Sequence, residues 1–141
     1  HIDRAKRTGK VLQIHDRDAH DDVLRVLAEE GAPERTVFHC FSGSEQMARV
    51  CAEAGWYLSF ACPLPFANAD PLRAALRAVS PEQVLVETDA PYLTPHPHRG
   101  KRNASYLMPL TVRRMAAEWQ LDDAALCARL NATSEALYGP W

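Results

Sequence analysis

Four residues suited to metal binding or acid–base chemistry recur at one kind of place in this sequence, the end of a short apolar run. His15 closes Val11-Leu12-Gln13-Ile14, His39 closes Thr36-Val37-Phe38, and Glu87 and Asp89 follow Val84-Leu85-Val86. Imidazole nitrogens and carboxylate oxygens are ordinary donors to divalent cations, and a carboxylate can also take a proton from water. A lone histidine at a strand end is more often a hydrogen-bonded structural residue, and an Asp before Ala-Pro is more often a turn former. Three such residues at equivalent positions shift the balance toward a site. His15, His39 and Asp89 are therefore candidate metal ligands. Asp89 is also a candidate catalytic group that positions or deprotonates water. Glu87 is either a carboxylate that orients a ligand or a structural acid paired with a base.

The elements that must position these residues alternate strand with helix. Residues 1–8 read as the end of a helix stopped by Gly9, and 11–15 as a strand. A helix over 19–30, acidic at its start and closed by Gly31, leads to a strand over 36–40. Ser42 and Glu45 have capping-box spacing for a helix over 44–54, ended by Gly55. A strand over 56–61 follows, then Asp70 as cap with Pro71 in the first helical position, and Leu72, Leu76 and Val79 at helical spacing. The last strand spans 84–88; a long loop and helices over 107–120 and 123–138 complete the chain.

Four strand–helix units imply a parallel sheet with right-handed crossovers. Two architectures compete, an open doubly wound sheet and part of a (β/α)8 barrel. A full barrel takes about 250 residues, so four units would be half of one. No GxGxxG or GxxxxGKS follows any strand, which argues against a nucleotide-binding open sheet. In either architecture chemistry gathers at the C-terminal ends of the strands. Side chains two apart on a strand share a face. Gln13 with His15, Val37 with His39, and Glu87 with Asp89 therefore point one way. Leu12, Ile14, Phe38, Val84 and Val86 point toward covering helices.

With 47% hydrophobic and 24% charged residues, the 141-residue chain has the composition of one globular domain. No apolar run approaches the ~20 residues of a membrane helix, and the basic first ten residues carry no signal-like apolar stretch. The chain opens without Met and reads as starting within a longer protein. Cys40, Cys51, Cys62 and Cys127 form no CxxC pair and read as buried free thiols of a cytoplasmic protein. A net charge of -2 gives no global attraction to nucleic acid, so any such affinity is local. One local stretch stands out. Residues 90–117 carry Arg99, Lys101, Arg102, Arg113 and Arg114 and no acid. Arg99 and Lys101 are candidate contacts to substrate phosphate, as is Arg17 beyond His15, whereas Arg113 and Arg114 read as a solvated helix surface. Tyr92 either stacks on a base or packs under its loop. Trp56, Trp119 and Trp141 read as packing residues.

Two blocks of sequence carry a family resemblance. Phe38-His39-Cys40-Phe41-Ser42-Gly43-Ser44 resembles a signature of the TatD family of metal-dependent deoxyribonucleases. So does Glu87-Thr88-Asp89-Ala90-Pro91-Tyr92-Leu93 with Arg99-Gly100-Lys101-Arg102-Asn103. Ile14-His15 with Arg17-Asp18-Ala19 and the closing stretch Asn131 to Gly139 are similar to further blocks, so the resemblance covers nearly the whole chain.

The resemblance implies a TIM (β/α)8 barrel of the metallo-dependent hydrolase type, here its second half of about four βα units. It implies two divalent metal ions (magnesium, manganese or zinc, which these residues do not separate), with His15, His39 and Asp89 as ligands and DNA as substrate. Such ions activate water and stabilise charge on phosphoryl oxygens. The resemblance also implies an H-x-H pair and a bridging Glu on earlier strands. The only H-x-H here is His96-Pro97-His98, in a Pro-rich loop, where a ligand role is disfavoured. The chain alone is therefore expected to be inactive, and either to sit against the missing N-terminal half or to self-associate through its strand edges. An amidohydrolase-like enzyme acting on small esters or amides, and a non-catalytic half-barrel module, are the rival readings.

Overall fold

β-Branched and aromatic residues punctuated by Gly and Pro give four short strands in a computed structural model that describes residues 1–140. They are β1 (Leu12–His15), β2 (Thr36–His39), β3 (Tyr57–Phe60) and β4 (Val84–Val86). All neighbours pair parallel, in the order β1-β2-β3-β4. Helix α1 (Ile2–Thr8) precedes β1 and ends at Gly9, whose φ of 61° is the left-handed turn that glycine adopts without strain. Helices α2 (His20–Glu30), α3 (Glu45–Glu53), α4 (Asp70–Arg77) and α5 (Met108–Trp119) each follow a strand, and α6 (Asp123–Tyr138) closes the chain. Trp141 lies outside the described residues.

The main core shows on which side the helices lie. Phe38, Leu58, Phe60 and Val84 from the strands are buried together with Leu27 of α2, Met47 of α3, Leu76 of α4, Met115 of α5 and Leu126 of α6. Leu12, Ile14 and Val86 pack against the same cluster, so the alternation expected from the strands holds. Burying one such side chain contributes about 1.5–3 kcal/mol. All five helices from α2 onward thus meet one face of a sheet whose strands run in sequential order. A doubly wound sheet would reverse its order and carry helices on both faces. The winding is single, which removes that alternative.

The opposite face is mostly polar and has one small apolar plug. Val37 and Leu85 are buried there with Leu137, near the end of α6, and Tyr57 and Val11 pack against them. Arg35, at the start of β2, donates to the Leu137 carbonyl at 3.1 Å. The end of α6 therefore crosses this face at the end of the sheet where the strands begin. The face is left open where they finish.

Several local expectations are corrected. Ser44, not Ser42, caps α3: its extended backbone lets its hydroxyl accept from Met47 N at 3.2 Å, while Ser42 Oγ donates to the Asp16 carbonyl. Asp70 is the first residue of α4, with Ala69 as cap, and its carboxylate pairs with Arg73. Gly43 sits where a Cβ would force Met47 Sδ and the Phe41 ring to shift. Of the cysteines, Cys51 and Cys62 are buried but Cys40 is half-buried and Cys127 exposed. Leu126 and Leu130, four apart, take the buried stripe of α6 and leave Cys127 outside it. Trp56 and Trp119 pack partly buried against the main core. No helix among the described residues is long and apolar enough to cross a membrane.

Candidate metal centre

In-register parallel pairing puts His15 directly beside His39 on the open face. Their ring centroids are 5.9 Å apart. β4 ends at Val86, yet Glu87 N still donates to the Phe60 carbonyl at 3.1 Å, so the extended path continues one residue further. That brings Glu87 Oε1 to 2.8 Å from His39 Nδ1. Two residues on, Asp89 adopts a φ of 56°, a left-handed conformation that Asp tolerates better than most residues, and its carbonyl accepts from Tyr92 N at 3.0 Å. The turn leaves Asp89 Oδ1 at 3.6 Å from His39 Nε2.

One donor atom each from His39, Glu87 and Asp89 thus lies within 4.8 Å of the other two, the one such group of three or more among the described residues. His96 and His98 are outside it. So is His15, which stands exposed next to it. Glu87 Oε1 is buried and has no hydrogen-bond partner. It lies at ion-pair distance from His39 Nδ1, but that contact does not have hydrogen-bond geometry. A buried carboxylate oxygen left in this state costs free energy unless a cation or donor completes it. The donor set and its orphaned oxygen fit a divalent metal ion. Glu87 is at once inside the donor group and ion-paired to the His39 ring, so both of its readings keep a partner here.

Burial first, then the charges of Glu87 and Asp89, push the Cys40 thiol up to about 12. Burial and then the Glu87 charge also raise the Tyr138 phenol.

The expected phosphate contacts occupy the loops at the same end. Arg17 is exposed on the loop after β1. Lys101 is exposed in the loop after β4, and the guanidinium of Arg99 lies 4.4 Å over the Phe66 ring. Tyr92 is 70% exposed, so it does not pack under its loop. Arg113 pairs with exposed Asp123, as a solvated helix surface would have it, whereas half-buried Arg114 pairs with Glu118, whose side chain is largely buried.

Sequence reasoning missed Phe66, Arg73 and Asn103. Arg73, on α4, is 5% exposed and donates to the carbonyls of Leu64, Phe66 and Ala67. Asn103 is buried and donates from Nδ2 to the carbonyls of Thr88 and Tyr92. The Asn103 position inside the quoted Arg99–Asn103 block was the available signal. Arg73 gave none, because an arginine three residues after an aspartate on a helix reads as a surface pair.

Comparison with known proteins bears on this geometry. The family model described as TatD related DNase matches residues 1–139. The chain belongs to the TatD family. It is 57% identical over 134 residues to a Mycobacterium tuberculosis protein named uncharacterized metal-dependent hydrolase TatD, covering 94% of this chain and 51% of that one. It is 45% identical over 100 residues to the uncharacterized metal-dependent hydrolase YabD of Bacillus subtilis, covering 70% and 39%. The crystal structure of YJJV, a TatD homolog from Escherichia coli, matches with a TM-score of 0.91 at 21% identity, over 99% of this chain and 54% of that one. This TatD chain thus spans about half the length of the curated relatives it matches.

Proposed function

We propose that this chain forms the second half of a (β/α)8 barrel in a TatD-type, metal-dependent phosphodiesterase that cleaves DNA. The observation that carries this reading is the convergence of His39, Glu87 and Asp89, with an orphaned buried oxygen, beside loops bearing Arg17, Arg99 and Lys101. His39, Glu87 and Asp89 would hold one divalent ion. His15, beside them, would serve a second whose remaining ligands come from polypeptide outside these residues. Bound divalent ions supply Lewis acidity that activates water and offsets charge on the phosphoryl oxygens. Asp89, half-exposed and at the turn, would orient the attacking water and accept its proton. The cations of the rim would hold the phosphates on either side of the scissile bond. The small-molecule amidohydrolase reading gives no use to this acid-free stretch of cations.

The test is hydrolysis by the longest natural polypeptide that contains residues 1–141. Divalent-dependent cleavage of oligodeoxynucleotides, abolished by Asp89→Asn, is the expected result. Turnover of small esters or amides with no cleavage of DNA would refute the proposal.

A further inference from the structure

Two loops face each other at the end of the sheet where the strands finish, outside the donor cluster. One follows β3 and carries Phe66; the other follows β4 and carries Tyr92, Arg99 and Lys101. Between them lies a cleft of about 350 Å3, lined by all four of these residues. Phe66 also lines a second cleft of about 320 Å3, shared with Phe41 and Pro63. The ring is therefore a ridge between two depressions.

The chemistry of the first cleft is aromatic and cationic together. Tyr92 offers a phenol ring that is 70% exposed, and Phe66 with Arg99 stacked 4.4 Å above it offers a second flat surface. Lys101 adds a mobile point charge. Flat π surfaces and cations lining one cleft match a ligand that itself alternates flat rings with anions. A small ester or amide has no such alternation.

Both walls are built before any ligand arrives. Arg73 donates to Leu64 O at 3.2 Å, Phe66 O at 2.7 Å and Ala67 O at 3.3 Å, which braces the Phe66 loop from below. Asn103 Nδ2 donates to Thr88 O at 2.8 Å and Tyr92 O at 2.6 Å, and its backbone N–H donates to Pro91 O at 3.1 Å. Each brace is a polar side chain at most 5% exposed. Surface loops left to themselves lose binding free energy on ordering, and these braces reduce that loss.

We infer that this cleft is a nucleobase-stacking subsite: one unstacked base lies against Tyr92, a second flat contact falls on the Phe66–Arg99 pair, and Arg99 and Lys101 meet the phosphates between. The inference rests on the DNA reading above and deepens it, since it assigns recognition of bases and not of backbone alone. Every base has a π face, so the subsite tolerates any sequence.

The experiment measures binding by fluorescence anisotropy in EDTA, on the same natural polypeptide as above. The probes are an oligothymidylate about ten nucleotides long, within the usual site sizes for single strands, and an abasic deoxyribose-phosphate chain of equal length. The oligothymidylate should bind at least about fivefold more tightly than the abasic chain, the lower end of what stacking one base contributes. Tyr92→Ala and Phe66→Ala should each reduce that preference, and Tyr92→Phe should restore it. Phe66→Leu, which keeps apolar volume but no ring, guards against a folding defect and should behave like the alanine variant. Lys101→Ala should weaken both probes alike and flatten the salt dependence. Equal affinity for the two probes, or a preference that survives loss of both rings, would overturn the subsite. Hydrolysis plays no part in EDTA, so that outcome leaves the phosphodiesterase reading standing. Base preference without cleavage once divalent metal is added sinks the phosphodiesterase reading alone.

Discussion

The hydroxyl of Tyr138, near the end of α6, donates to Gln13 Oε1 on β1 at 3.2 Å, joining residues 125 apart in the chain. Its neighbour Leu137 is 1% exposed and completes the small apolar plug with Val37 and Leu85. The last turn of α6 thus fastens the otherwise open face of the sheet. Leu137→Ala is expected to destabilise the fold by about 3 kcal/mol, and Tyr138→Phe, whose hydrogen bond is exposed to water, by less than about 1 kcal/mol. Urea unfolding of the two variants decides; equal losses would mean the plug contributes nothing.

Removal of metal donors should show a hierarchy. His39→Ala and Asp89→Asn take away members of the converging group and should weaken divalent-ion binding at least about a hundredfold. His15→Ala, beside the group, should weaken it by about tenfold. Calorimetric titration with manganese or zinc makes the comparison. If His15→Ala were the most damaging of the three, the centre would be organised around a different pair of strands.

The strand-end donors were legible in the sequence because period-two alternation and the end of an apolar run are local signals. They placed His15, His39, Glu87 and Asp89 on one face at one end without knowledge of the fold. What local signals cannot carry is contact between loops. Arg99 over Phe66 depends on the loops after β3 and β4 leaning together, and 33 residues separate the two in the chain. Leu137 was equally hidden: its helix shows little amphipathic contrast because it packs on the main core with Leu126 and on the opposite face with its last turn. The capping error had a similar cause, since Ser42 and Ser44 both fit the start of a helix and only backbone direction separates them.

Glu118 gives a pH-dependent test of stability. Its side chain is 10% exposed and lies among Arg73, Arg77 and Arg114. Burial pushes its carboxyl up, but hydrogen bonds from Arg77 and Arg114 outweigh this and hold it below its ordinary value of 4.5. A carboxyl lowered on folding stabilises fully above its unfolded value, and that contribution disappears as pH falls through the folded one. Glu118→Gln should therefore cost about 3 kcal/mol at neutral pH and progressively less below about pH 4.5. A gap between wild type and variant that persists unchanged in acid would contradict the assignment.

Thiol reactivity should separate the four cysteines. Cys127 is exposed, Cys51 and Cys62 are buried, and Cys40 is half-buried with its thiol held near 12. Because the thiolate is the reactive form, maleimide at neutral pH should label Cys127 first and Cys40 far more slowly. Mass spectrometry of timed samples reads the order. Labelling of Cys40 ahead of Cys127 would show that its surroundings are not those described.

Arg73 leaves the loop it supports unusually free to diverge. Three carbonyls between Leu64 and Ala67 accept from a single guanidinium that belongs to the following helix, and the loop's remaining bonds are its own backbone turns. Its shape is thus held from the helix and the backbone more than from its own side chains. Residues 65–68 form a replaceable cassette, in which new residues could retune what the protein grips while the scaffold beneath keeps its geometry.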